Sequence, residues 1–121
     1  MIAVIQRVKE TELTANGAPH SKITRGFFVL LGVLSGDDET DAKLLADKIA
    51  KLRVFSDENG KMNRSLSDIG GEVMVVSNFT LAANYRHGNR PDFLRAAPPQ
   101  EADRLYQRFI ADKVVYNKHS E

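Results

Sequence analysis

Apolar and polar positions alternate over Ile2 to Val8, setting Ile2, Val4, Gln6 and Val8 on one face and Ala3, Ile5 and Arg7 on the other. Period-two alternation of this kind predicts a strand with one wetter end. Thr11 to Ala15, the dipeptide Asn16-Gly17 and the segment to Ile23 predict a β-hairpin, because Asn-Gly readily takes the positive φ angles of a tight turn. Gly26 to Leu34 is apolar without a break and stops at Ser35-Gly36-Asp37, which predicts a strand buried on both faces.

From Asp38 the period changes. Ala42, Leu45, Ala46, Ile49 and Leu52 recur at helical spacing, with Asp37 or Asp38 available as N-cap and acids in the first turn. Arg53 to Phe55 and Lys61-Met62 flank a turn signal at Asp57-Glu58-Asn59-Gly60, and a loop through Gly70-Gly71 leads into an apolar strand at Glu72 to Val76. Pro98-Pro99 opens a second helix whose stripe is Ala102, Leu105, Tyr106, Phe109 and Ile110. The order predicts one mixed α/β domain over residues 1–121, without repeats or low-complexity linkers.

Composition narrows the chemistry. With 42% hydrophobic and 27% charged residues in 121, the chain is an ordinary globular domain with one core. Having no cysteine, it has no disulfide, thiolate metal site or cysteine nucleophile. The apolar N-terminus is interrupted too early for a secretory signal and no apolar run approaches a membrane span, so a cytoplasmic location is expected. A formal net charge of +1 leaves any polyanion to be held by a local patch. His20, His87 and His119 lack metal-ligand spacing and read as solvated.

Candidate chemistry concentrates where the strand from Glu72 runs out at Ser77-Asn78-Phe79-Thr80-Leu81. Ser77 and Thr80 carry hydroxyls, but a hydroxyl nucleophile needs a neighbouring base, and no histidine or lysine lies in the motif. The simpler reading, which the sequence favours over a nucleophile, is that they satisfy backbone groups at the strand end. A third reading uses the main chain, with the N–H groups of Phe79 and Thr80 forming an oxyanion hole for an ester's tetrahedral intermediate. The loop from Ala82 to Arg95 follows, with Arg86, Arg90 and Arg95 against one aspartate and Tyr85 and Phe93 interleaved. Such a loop is either a solvated surface or a grip for phosphates with rings that stack on unpaired bases.

Read in order, Gln6-Arg7-Val8, Gly32-Val33, Lys61-Met62-Asn63, Ser65-Leu66, Gly70-Gly71-Glu72, Ser77 to Leu81, Arg90-Pro91, Phe93 and Ala96-Ala97-Pro98 closely resemble the D-aminoacyl-tRNA deacylases, also called D-tyrosyl-tRNA deacylases. The resemblance implies a barrel-like, largely antiparallel β-sheet with two flanking helices. It also implies a cytosolic homodimer that hydrolyses the ester joining a D-amino acid, or glycine mischarged on tRNA-Ala, to the terminal adenosine of tRNA, a translation quality-control role. Ser77, Asn78, Phe79 and Thr80 fall on the active-site motif, with Arg7, Arg86, Arg90, Phe93 and Tyr85 expected to hold the acceptor end, and the resemblance implies no metal or organic cofactor.

Two departures stand beside the likeness. Asn78 occupies a position that is usually glutamine, which keeps the amide and shortens its reach by one methylene. The family also continues past the second helix into strands carrying a glycine-proline element that excludes L-amino acids, whereas the prolines here are Pro19, Pro91, Pro98 and Pro99. The expectation is therefore a C-terminally short domain whose sheet edge must be covered by the tail or by another chain. The alternative function is a non-catalytic RNA-binding or structural paralogue.

Overall fold

The computed structural model of the chain describes residues 1–86, 88–112 and 118–120. The main sheet has four strands in an order that is open among the described residues rather than closed as a barrel. Strand β1 (Ile2–Val8) runs antiparallel to β4 (Gly26–Gly32), from Ile2 opposite Gly32 to Val8 opposite Gly26. Strand β7 (Glu72–Ser77) lies parallel on the other side of β4, with Leu31 opposite Ser77. Strand β8 (Lys118–Ser120) adds parallel to β7 at Met74 to Val76, so the tail covers the edge there. The hairpin β2 (Thr11–Ala15) and β3 (Ala18–Ile23) turns at Asn16 and Gly17 with φ of 53° and 77°, the left-handed backbone that an Asn-Gly pair accepts at little cost.

Both helices cover the same face of this sheet. Helix α1 (Glu39–Lys51) starts at Asp38, whose carboxylate accepts from the N–H groups of Thr40 (2.9 Å) and Asp41 (3.2 Å) while Asp41 returns a bond to Asp38 N–H. Asp37 is not the cap; its carboxylate accepts from Leu34 N–H and the Met1 ammonium. Ala42, Ala46 and Ile49 of α1, and Tyr106 and Phe109 of α2 (Pro99–Asp112), pack on Phe27, Val29, Leu31, Val73 and Val75 in one cluster. The buried Tyr106 hydroxyl donates to Val75 C=O at 2.8 Å, so its one polar group is satisfied inside the core.

The opposite face is less covered than the continuous apolar run predicts. Phe28 and Leu30 are half-buried, and Val4, in register with Leu30 and Val76, is 49% exposed. The hairpin approaches β7 and β8 and buries Ile23 and Met74, leaving the β1 side open. The predicted turn at Asp57–Gly60 joins β5 (Phe55–Ser56) to β6 (Met62–Arg64), with the Asp57 carboxylate accepting from Asn59 and Lys61 N–H.

Candidate active site

The β7 ladder ends with Asn78 N–H donating to Leu31 C=O at 2.8 Å, and the chain then tightens into a 3₁₀ turn over Phe79–Ala82. Asn78 caps that turn. Its Oδ1 accepts from Thr80 N–H at 3.0 Å and also from the Thr80 hydroxyl, the pattern expected of an asparagine two residues before the groups it satisfies. Gly32 makes the packing possible, because a Cβ there would stand 2.9 Å from Leu81 Cβ and 3.3 Å from Asn78 C=O. With Ala82 buried and Leu81 half-buried, the turn is seated on β4, and Phe79 and Thr80 project outward.

Two donors expected to act together are thereby separated. Thr80 N–H is committed to Asn78, so the anticipated pair of Phe79 and Thr80 amides reduces to Phe79 N–H, which has no acceptor among the described residues. The Thr80 hydroxyl donates to an amide oxygen, a group too weakly basic to take its proton.

Phe79 is 61% exposed and meets Phe93 edge to face, with centroids 5.2 Å apart and planes at 68°. Phe93 is delivered by the arginine loop, whose base is clipped by reciprocal bonds between Asn84 and Asp92, 2.9 and 3.0 Å long. Ala97 N–H donates to Val33 C=O, and Leu34 bridges Ala96, holding the next segment against the end of β4. Between the turn, this segment and α2 opens a cleft of about 570 Å³. Phe79, Phe93, Pro98 and Pro99 give it apolar walls, Ala102 and Tyr106 line it from α2, and Ser77 and Asp103 are its polar residues.

The nine residues expected from the sequence are thus only partly assembled. Ser77, Phe79 and Phe93 line the cleft, and Asn78 and Thr80 hold the turn beside it. Tyr85, Arg86 and Arg90 are exposed on the loop and line no part of the cleft. Arg7 lies at the other end of the sheet. It pairs with Phe27, four residues along the ladder from the level of Ser77, or about 13 Å at ~3.3 Å per residue. Its guanidinium donates to Val54 C=O at 2.7 Å, so proximity to the Ser77 motif within this chain is ruled out by strand register.

Asp103 and the Ala102–Tyr106 side of α2 were not expected as cleft residues. Their helical spacing signals packing on a core and carries no sign of the gap beside Phe79. His87 lies outside the described residues, as do residues 113–117 and Glu121. Among the described residues no three His, Cys, Asp or Glu side chains converge as a metal-ligand group, and no helix is long and apolar enough to cross a membrane.

Residues 4–119 match the family described as D-Tyr-tRNA(Tyr) deacylase. The chain is 52% identical over 110 residues to the D-aminoacyl-tRNA deacylase of Natranaerobius thermophilus, covering 91% of this chain and 73% of that protein. It is 55% identical over 111 residues to the D-aminoacyl-tRNA deacylase of Thermus aquaticus, covering 92% and 73%. Among solved structures it is similar to one described as c-Myc DNA Unwinding Element Binding Protein, with a TM-score of 0.89, 35% identity, and coverage of 98% of this chain and 83% of that one. A probable eukaryotic D-amino acid tRNA deacylase shares the fold, with a TM-score of 0.76 at 16% identity, over 91% and 64% of the two chains.

Proposed function

The chain belongs to the D-Tyr-tRNA(Tyr) deacylase family, and from that premise we propose that it hydrolyses the ester bond of D-aminoacyl-tRNA, releasing D-amino acid and tRNA. The observation that carries the site assignment is the unpartnered Phe79 N–H beside an apolar cleft, on a turn braced by Asn78. Water adds to the ester carbonyl carbon, negative charge gathers on the carbonyl oxygen, and collapse breaks the bond to the ribose oxygen, which leaves with a proton. An amide aimed at that oxygen stabilises the charge as it develops, an effect of about 10²–10³ in rate for one such donor.

The cleft takes the terminal adenosine, with Phe79 and Phe93 offering ring surface to the base. Ser77 is the hydroxyl nearest the ester and Thr80 a positioning residue. The exposed Tyr85, Arg86 and Arg90 hold the acceptor strand outside. The ribose's own neighbouring hydroxyl orients the water, a role for which Thr80 has no base.

The working unit in this reading is one domain over residues 1–121, paired as a homodimer in the cytoplasm. The half-covered apolar face at Val4, Phe28, Leu30 and Val76 supports the pairing, since an open sheet face of this kind is an interface in waiting. Steady-state hydrolysis of matched D- and L-aminoacyl-tRNA tests the function. Release from the D ester is expected; release from neither, with tRNA still bound, would replace the enzyme with a non-catalytic RNA-binding paralogue.

A further inference from the structure

Arg7, Lys9 and Arg25 meet at the end of the sheet opposite the cleft, and we infer that they form a binding site for a backbone phosphate of the RNA substrate. The inference rests on the deacylase reading, because that reading supplies the polyanion. Arg7 lies opposite Phe27, and Lys9 and Arg25 each stand one residue past the last pair of the ladder, Val8 and Gly26, lining one depression with Arg7. Like charges gathered at a strand end repel one another, a repulsion that a bound anion relieves.

Two of the three cations are held by uncharged partners. The Arg25 guanidinium sits 5.4 Å from the Phe55 ring centroid, and Arg7 donates to Val54 C=O. Both are aimed without being neutralised. None of the three takes part in an ion pair among the described residues. The Glu72 carboxylate, on the strand beside Gly26, accepts from Thr24 N–H and the Thr24 hydroxyl at 2.9 and 2.7 Å. With Val8, Phe55 and Ser56, the cations line a depression of about 270 Å³ that has no acidic lining residue.

Arginine and lysine together, with a serine hydroxyl beside them, suit a phosphodiester: the guanidinium fork supplies directed bonds and the ammonium a point charge. Along the ladder from the level of Ser77, Arg7 lies four residues and Arg25 six residues away, about 13 and about 20 Å at ~3.3 Å per residue, a span of several nucleotides. RNA whose terminal nucleoside occupies the cleft therefore has phosphates at the right range. In a chain of net charge +1, such a patch is what can steer it.

Equilibrium binding of uncharged tRNA across a salt series tests the site without requiring turnover. Lys9→Ala with Arg25→Gln should weaken binding about tenfold near 0.1 M salt and make the slope of log K against log salt shallower by about 1 to 2. Lys9→Glu, on an exposed side chain outside the core, should shift affinity in the same direction with the thermal midpoint unchanged. An unaltered slope in the folded double variant, or unaltered affinity in Lys9→Glu, overturns the proposal. Loss of inorganic phosphate binding with tRNA binding intact also overturns it, in favour of a small free anion. Should the wild type hydrolyse D-aminoacyl-tRNA while the slope stays fixed, the phosphate site alone fails. Loss of tRNA binding in the variants of a protein that hydrolyses nothing would leave the site standing and remove the deacylase reading.

Discussion

Asn78 does most to define the site, through one oxygen. By accepting both Thr80 N–H and the Thr80 hydroxyl it occupies one amide of the expected pair and leaves that of Phe79 as the one without an acceptor among the described residues. Thr80→Ala should therefore lower kcat on D-aminoacyl-tRNA by no more than about tenfold, because it deletes a bracing hydroxyl and leaves Phe79 N–H in place. Asn78→Ala should cost more activity than Thr80→Ala, and about 1 kcal/mol of stability through loss of the cap. Loss of about four orders of magnitude in Thr80→Ala, with the fold intact, would instead make the hydroxyl a nucleophile. The commitment of Thr80 N–H overturns the expectation of two free amides, although asparagine two residues before threonine is a local pairing rule that signals it. Asp103 gave no such sign, since a polar residue on the outer side of a helix stripe looks the same whether or not a cleft opens beneath it.

Local signals account for most of the elements. The capping box at Asp38 and Asp41, the Asn16-Gly17 hairpin and the Asp57–Gly60 turn each depend on residues within four positions of one another. Asp38→Ala should lower stability by about 1 kcal/mol in urea titration without moving kcat, because neither Asp38 nor any residue of α1 lines the cleft. What sequence left unsaid was register: Arg7 and Ser77 both belong to the family pattern and were expected at one site, yet strand pairing puts them at opposite ends of one sheet.

Turn carboxylates also set an acid limit. Lys61 N–H bonded to Asp57 and Ser65 N–H bonded to Asp68 hold both carboxyls below their ordinary value. Each is depressed in the fold, so the unfolded chain binds protons more readily, and their stabilisation is present above about pH 4 and lost below it. The urea midpoint should be level from pH 7 to about 5 and fall below about 4, with a smaller fall in Asp57→Asn. A midpoint that did not respond to acid would remove these bonds from the balance.

For the molecule as a whole, the mixed α/β class was legible because a long apolar strand, two amphipathic helices and a second apolar strand admit few arrangements. Closure was not legible: the described strands make an open order, with the β1 side of one face half-covered. If that face pairs two copies, Val4→Lys should convert the dimer to monomer in sedimentation velocity while the monomer keeps its helix content; a dimer that survives the substitution must use another surface.

The parallel seam between β4 and β7 has a consequence in time. Leu31 and Ser77 meet across it with all of α1 and the β5–β6 hairpin in the intervening chain, so the loop between them must close before Asn78 can bond to Leu31. Early folding species can hold helices and hairpins and still lack the corner that bears Phe79. Competence for ester cleavage should thus emerge late in refolding, with the slowest long-range pairing rather than with the first gain of secondary structure.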